Sequence, residues 1–152
     1  MRALVIITAV GCGLWGGVFF AFSVFVMRGL GKLPAAEGIA SMNSINAAVF
    51  SPWFMVPFLG TPLLCLALAI FAVIRWNEPG SGWLLAGGLI FIAGCLLVTM
   101  FFNVPLNNAL IDAHGTDGAD QWARYQTVWT AWNHVRSLTS ITSCALIILG
   151  LR

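Results

Sequence analysis

Residues 83–102 read WLLAGGLIFIAGCLLVTMFF, a run with no charge and a single hydroxyl. A helix that crosses the hydrocarbon core of a bilayer needs about 20 predominantly apolar residues. Inside lipid every backbone N–H and C=O must be paired within the segment, so a run of this length reads as a helix. Three further runs follow the same rule. They lie at about 3–27, 53–76 (interrupted by Pro57 and Pro62) and 132–151. The sequence therefore predicts an all-α fold: a transmembrane four-helix bundle in one domain over residues 1–152, with both termini on one side.

Composition agrees. Only 8% of the residues are charged and 60% are hydrophobic, whereas soluble domains carry roughly 25% charged residues. The net charge of +2 comes with no basic patch, which excludes nucleic-acid binding. The first apolar run is too long for a signal-peptide h-region of about 7–15 residues and ends in no small-residue cleavage pattern. The chain is expected in a membrane as a multi-pass protein, in the cytoplasmic membrane if the source is bacterial. Arg2, Arg75 and Arg152 on one side balance Arg28, Lys32 and Arg124 on the other, so the positive-inside rule leaves orientation open. Acidic residues crowd the longer loops and tilt the reading toward cytoplasmic termini.

The long connections carry helical patterns of their own. AAEGIASMNSINAAVF (35–50) reads as an interfacial helix entering the second span. DGADQWARYQTVWTAWNHVR (117–136) has no breaker after Gly118 and reads as a helical extension of the last span, capped by Asp117 or Asp120. HGTDG (114–118) reads as a turn. Ala9, Gly13, Gly17 and Ala21 recur four apart and predict a close helix-packing stripe.

Polar residues gather at the bundle end away from the termini. Asn43 and Asn46 precede the second span, Asn103, Asn107 and Asn108 end the third, and Asn133, His134 and Arg136 open the fourth. A single asparagine in a span is explained by tying helix ends together. The whole set beside a histidine and an arginine points to a lined cavity, since ionisable residues in a membrane mark functional sites. At about 100° per residue, Trp129, Asn133, Arg136, Ser140 and Ser143 share one stripe that should face the bundle, and His134 lies roughly 160° from Arg136. Trp122, Tyr125, Trp129 and Trp132 can wall a site for a flat apolar ligand.

Metal chemistry finds thin support. Cys12, Cys65, Cys95 and Cys144 fall one per span but form no C-x-x-C pair, so they read as core residues. A haem between His114 and His134, or a copper or iron ion held by His134 and Glu37, stays open. No metal site and no cofactor is predicted.

The blocks GVFFAFSVFVMRGLGKL, FFNVPLNNAL and WARYQTVWTAWNHVRSLTS resemble the anthrone oxygenase-like family of small four-span membrane proteins, along essentially the whole chain. Many bacterial members are known only as a domain of unknown function. The resemblance implies a membrane-embedded oxidoreductase, a monooxygenase that uses dioxygen to oxidise a flat lipophilic phenolic substrate, anthrone to anthraquinone, without an added organic cofactor. On that reading His134 is the base. Arg136 and the amides of Asn103, Asn107 and Asn133 stabilise the oxyanion, while Asn46, Asn108, Trp129 and Trp132 hold the ring system. Two other classes remain open: a non-catalytic carrier for a lipophilic aromatic or quinone-like ligand, and a structural membrane subunit. The expected partners are the lipid bilayer, the lipophilic substrate and dioxygen, with oligomer formation left open.

Overall fold

The computed structural model describes residues 1–113 and 118–151. Five helices make up the fold, and no strand occurs among the described residues. They are α1 (Arg2–Leu30), α2 (Ala35–Ala48), α3 (Pro52–Ile74), α4 (Ser81–Ile111) and α5 (Gly118–Leu149). Helices α1, α3 and α4 are long and apolar enough to cross a membrane, which makes the chain a multi-pass integral membrane protein. The fourth expected span, 132–151, differs. It belongs to α5, whose polar stripe keeps it out of that apolar set. The stripe is turned inward: Trp129, Asn133, Arg136, Ser140 and Ser143 are all buried.

The four long helices form a closed ring in which α1 packs on α5, α5 on α4, α4 on α3 and α3 on α1. One core fills the half nearest the termini, around Trp15, Leu68, Phe91 and Ile147. A second core lies at the opposite end, where α2 lies over the first turns of α5 and packs Ile39 and Met42 against Trp122, Tyr125 and Trp129. The expected projecting extension is therefore covered on one side by α2. Asp120 stands in its first turn, where a carboxylate favours the positive end of the helix dipole. The turn read over 114–118, together with His114 and Asp117, lies largely outside the described residues.

Prolines do not break the spans. Pro57 and Pro62 lie inside a continuous α3, and the Pro57 carbonyl accepts from Thr61 Oγ1 (2.8 Å) and Trp15 Nε1 (3.3 Å). Pro105 is carried inside α4, which runs about two and a half turns past the expected end at residue 102. The reason is local. The helix widens to π geometry over Ile92–Leu97 and Thr99–Asn103, just before the proline. Proline removes one intrahelical bond and crowds the carbonyl four residues back, and a wider turn relieves both constraints. A third π segment, Phe22–Val26, lies in α1 at the same end of the bundle.

The small-residue stripe is only partly a packing seam. Ala9 is buried, but Gly17 is exposed with nothing within 4 Å of a built Cβ. The tightest approach falls on α4, where a Cβ on Gly94 would run into the Thr139 side chain; on the same helix one on Gly88 would meet the Cys65 carbonyl oxygen at 2.7 Å. Backbone cannot rotate away as a side chain can. Gly88→Ala is therefore expected to lower stability by about 1–3 kcal/mol, and Gly17→Ala to leave it unchanged, in thermal unfolding of the detergent-solubilised protein. Equal melting temperatures for the two variants would contradict the α3–α4 seam described here.

Candidate functional site

A cavity of about 490 Å³ opens at the bundle end away from the termini. Ligand pockets for small organic molecules typically measure about 300–1,000 Å³. All five helices contribute to its wall. From α1 come Val18, Phe19 and Phe22; from α2, Met42, Asn43 and Asn46; from α3, Phe54, Met55 and Phe58; from α4, Thr99, Val104, Asn107 and Asn108; from α5, Trp129 and Arg136. The wall is mostly apolar and aromatic, with a few polar groups among them.

Arg136 is the one cation in this wall. It is 6% exposed. Taking a charge from water costs several kcal/mol unless partners replace the solvent. Here Nη2 donates to Asn133 Oδ1 (2.6 Å) and Nη1 to Thr99 Oγ1 (3.3 Å). The guanidinium carbon lies 4.3 Å from the Phe19 ring centroid and 5.1 Å from that of Trp129, within the range of cation–π attraction. Its Nε is buried without a hydrogen-bond partner among the described residues.

Asn107 organises the far side. Its Oδ1 accepts from Tyr125 Oη and from Trp129 Nε1, both at 2.8 Å. Those two bonds fix which end of the amide is oxygen and leave the NH₂ end as donor. Burial pushes the Tyr125 phenol above its ordinary range, so it stays a neutral donor here. Tyr125 also stacks between Trp122 and Trp129, with ring centroids 5.7 and 5.8 Å apart. Asn43 Nδ2 donates to the Leu110 carbonyl (3.3 Å), while its Oδ1 and Asn46 Nδ2 are buried without partners among the described residues.

The residues picked out by sequence divide into two groups. Asn46, Asn107, Asn108, Trp129 and Arg136 line the cavity. Asn103, Trp132, Asn133 and His134 do not. Asn103 is fully buried and donates to the Trp129 carbonyl (3.3 Å). Asn133 is fully buried behind Arg136 and donates to the Phe19 carbonyl and Ser23 Oγ, both at 2.7 Å. These two amides tie helices together. Trp132 stacks on Phe102 at 3.8 Å between centroids, away from the cavity. His134 is exposed on the outward face of α5. The helical angle that turns Arg136 inward turns it out, so a base at His134 does not face a ligand held against Arg136.

Thr99 and the phenylalanines of α1 and α3 were not singled out from sequence. Thr99 had a usable signal: it is the only hydroxyl in its run and stands four residues before Asn103 and eight before Asn107. The phenylalanines had none, because an aromatic in a span looks the same facing lipid or cavity.

A family model for anthrone oxygenase matches residues 50–146. The chain belongs to the anthrone oxygenase family. The matched segment contains α3, α4 and most of α5, and with them Thr99, Asn107, Asn108, Trp129 and Arg136 of the wall. Helices α1 and α2 lie before it. No curated protein and no solved structure matches the chain. Among the described residues, no three His, Cys, Asp or Glu side chains stand together as a metal site. Cys12 and Cys65 approach to 3.7 Å between sulfurs as free thiols in the other half of the bundle.

The double acceptor role of Asn107 is open to a direct check. Asn107→Leu removes the acceptor of two buried donors, each left unpaired at a cost of about 1–3 kcal/mol. The expected outcome is a clear fall in melting temperature together with a change in Trp129 fluorescence. A variant as stable as the parent would mean that water replaces the amide.

Proposed function

We propose that this member of the anthrone oxygenase family oxidises a flat, lipophilic phenolic substrate with dioxygen, inside the cavity described above. The observation that supports it is Arg136: a buried cation facing an otherwise apolar, aromatic-walled space.

The chemistry asks for little beyond such a site. An anthrone is in equilibrium with its enol tautomer, a phenol, and loss of one proton gives an anion shared between the oxygen and the ring carbon opposite. A cation beside that oxygen stabilises the anion and lowers the pKa of the phenol. Dioxygen accepts electrons from the carbon and forms a C–O bond there, and protonation gives a hydroperoxide. Loss of water from the hydroperoxide leaves a second ketone. In sum, the CH₂ group and one O₂ become a C=O group and one H₂O. One oxygen atom stays on carbon, and both hydrogens leave in the water.

Arg136 is assigned the oxyanion and Asn107 is a second donor to the same ligand. Phe19, Phe54, Phe58 and Trp129 hold the ring system and keep water from the carbanion. The proton leaves by the polar edge formed by Asn43, Asn46 and Asn108, with the cation in place of a protein base. His134 has no part in this reading. Entry from the bilayer suits a lipophilic substrate, since Phe50, Val104 and Ile111 border the cavity and are exposed on the outer surface.

Oxygen consumption by the purified protein with a soluble anthrone is the test. Arg136→Gln should lower turnover by about 10²–10³-fold, the usual cost of losing an oxyanion donor. His134→Ala should turn over at the parental rate. Substrate binding without oxygen uptake in the parent protein would replace the oxygenase reading with that of a carrier. Full activity in a folded Arg136→Gln variant would remove the cation from the mechanism.

A further inference from the structure

The wall cation is held in an unusual way, and the residue behind it explains how. Asn133 is fully buried and does not touch the cavity. Its Nδ2 is committed to α1, donating to the Phe19 carbonyl and Ser23 Oγ. Its Oδ1 accepts from Arg136 Nη2. Ser23 lies in the π segment of α1, four residues after Phe19 and so on the same face of the helix. Asn133 is thereby fixed from one side and fixes Arg136 on the other.

Every partner of Arg136 among the described residues is neutral. They are the Asn133 amide, the Thr99 hydroxyl and the rings of Phe19 and Trp129. The one ion pair among the described residues joins Arg75 and Glu78 at the opposite end of the bundle. A carboxylate is the commoner partner for a buried guanidinium, because it cancels the charge. An aspartate would occupy the same space as Asn133. The amide accepts the same hydrogen bond without cancelling anything. Orientation and charge compensation are separated, and the compensation is left to whatever enters the cavity.

We propose that Asn133 is a positioning residue that holds Arg136 toward the cavity with its charge uncompensated, so that the site selects an organic anion over a neutral molecule of the same shape. The inference rests on the cavity being the ligand site of the proposed function, but not on turnover. The ligand it describes is a flat apolar body bearing one ionised oxygen, as a phenolate or carboxylate.

Binding of two probes to the full chain in a non-ionic detergent tests this, with affinities read from probe fluorescence. Anthracene-9-carboxylate carries the charge, and 9-(hydroxymethyl)anthracene is its neutral counterpart. The parent protein should prefer the carboxylate by about tenfold or more, as expected of a desolvated charge pair. Asn133→Asp supplies an internal counter-charge and should bring the two affinities near parity while leaving that for the alcohol unchanged. Asn133→Thr removes the acceptor without adding charge and should reduce the preference less than the aspartate does. If Asn133→Asp does not fold, Asn133→Thr decides alone. A folded variant of either kind that keeps the full preference overturns the role given to Asn133. So does an equal loss for both probes, which marks a purely structural residue. A parent protein that binds the two probes equally overturns the anion selectivity, whereas one that binds neither overturns the cavity as the ligand site, and with it the site of the proposed function.

Discussion

A single buried cation organises one half of this bundle. Arg136 is buried on α5, and no carboxylate among the described residues meets it. Its stabilisation comes from many weak terms: an amide, a hydroxyl and two aromatic faces. Each term comes from a different place. Asn133 is backed by α1, Thr99 is on α4, Phe19 is on α1 and Trp129 is about two turns earlier on α5. Holding the guanidinium therefore requires three helices in register at the same depth. That depth is where the cavity opens.

The π segments serve the same requirement. Phe22–Val26 and Thr99–Asn103 lie in the half of the bundle that holds Arg136, while Ile92–Leu97 reaches into the termini-proximal core through Cys95; none lies in α3 or α5. A π turn shifts the helical face by inserting a residue without breaking the rod. In α1 the segment contains Ser23, whose hydroxyl accepts from Asn133. In α4 it precedes Pro105 and lets Thr99, Asn103 and Asn107 all turn toward α5, although the proline would otherwise kink or end the helix. The rest of the termini-proximal half is regular helix among the described residues, packed by Trp15, Phe91, Leu68 and Ile147 at close glycine contacts.

The fold was largely legible in the sequence, because hydrophobic length is a strong signal and lipid permits few alternatives. The runs at 3–27, 53–76 and 83–102 correspond to α1, α3 and α4, with ends displaced by a few residues, and α4 longer because Pro105 is absorbed. The helical face of α5 was legible too, since period alone separates Arg136 from His134. The site was legible only in part. Period shows that Asn133 and Arg136 share a face, but not that one stands behind the other. It shows that His134 is on another face, and that face is exposed. The wall from α1, α2 and α3 was invisible, because closing a cavity depends on how helices far apart in sequence meet.

The asparagines show why composition at a membrane interface resists a single explanation. Helix tie explains a single asparagine and cavity lining the set as a whole, and both occur here, sorted by depth of burial. Asn103 and Asn133 are fully buried, bond backbone carbonyls of neighbouring helices and touch no cavity. Asn46, Asn107 and Asn108 reach the cavity wall. The first pair makes the second group possible. An amide bonded to a carbonyl across a seam fixes the distance between two helices, and that distance decides whether the next turn leaves a void. Asn107 does both, since its Oδ1 joins α4 to Tyr125 and Trp129 of α5 while it lines the cavity. Asn46 differs: its Nδ2 is buried without a partner among the described residues. An unpaired buried polar group costs about 1–3 kcal/mol, a cost that an oxygen-bearing ligand in the cavity would offset.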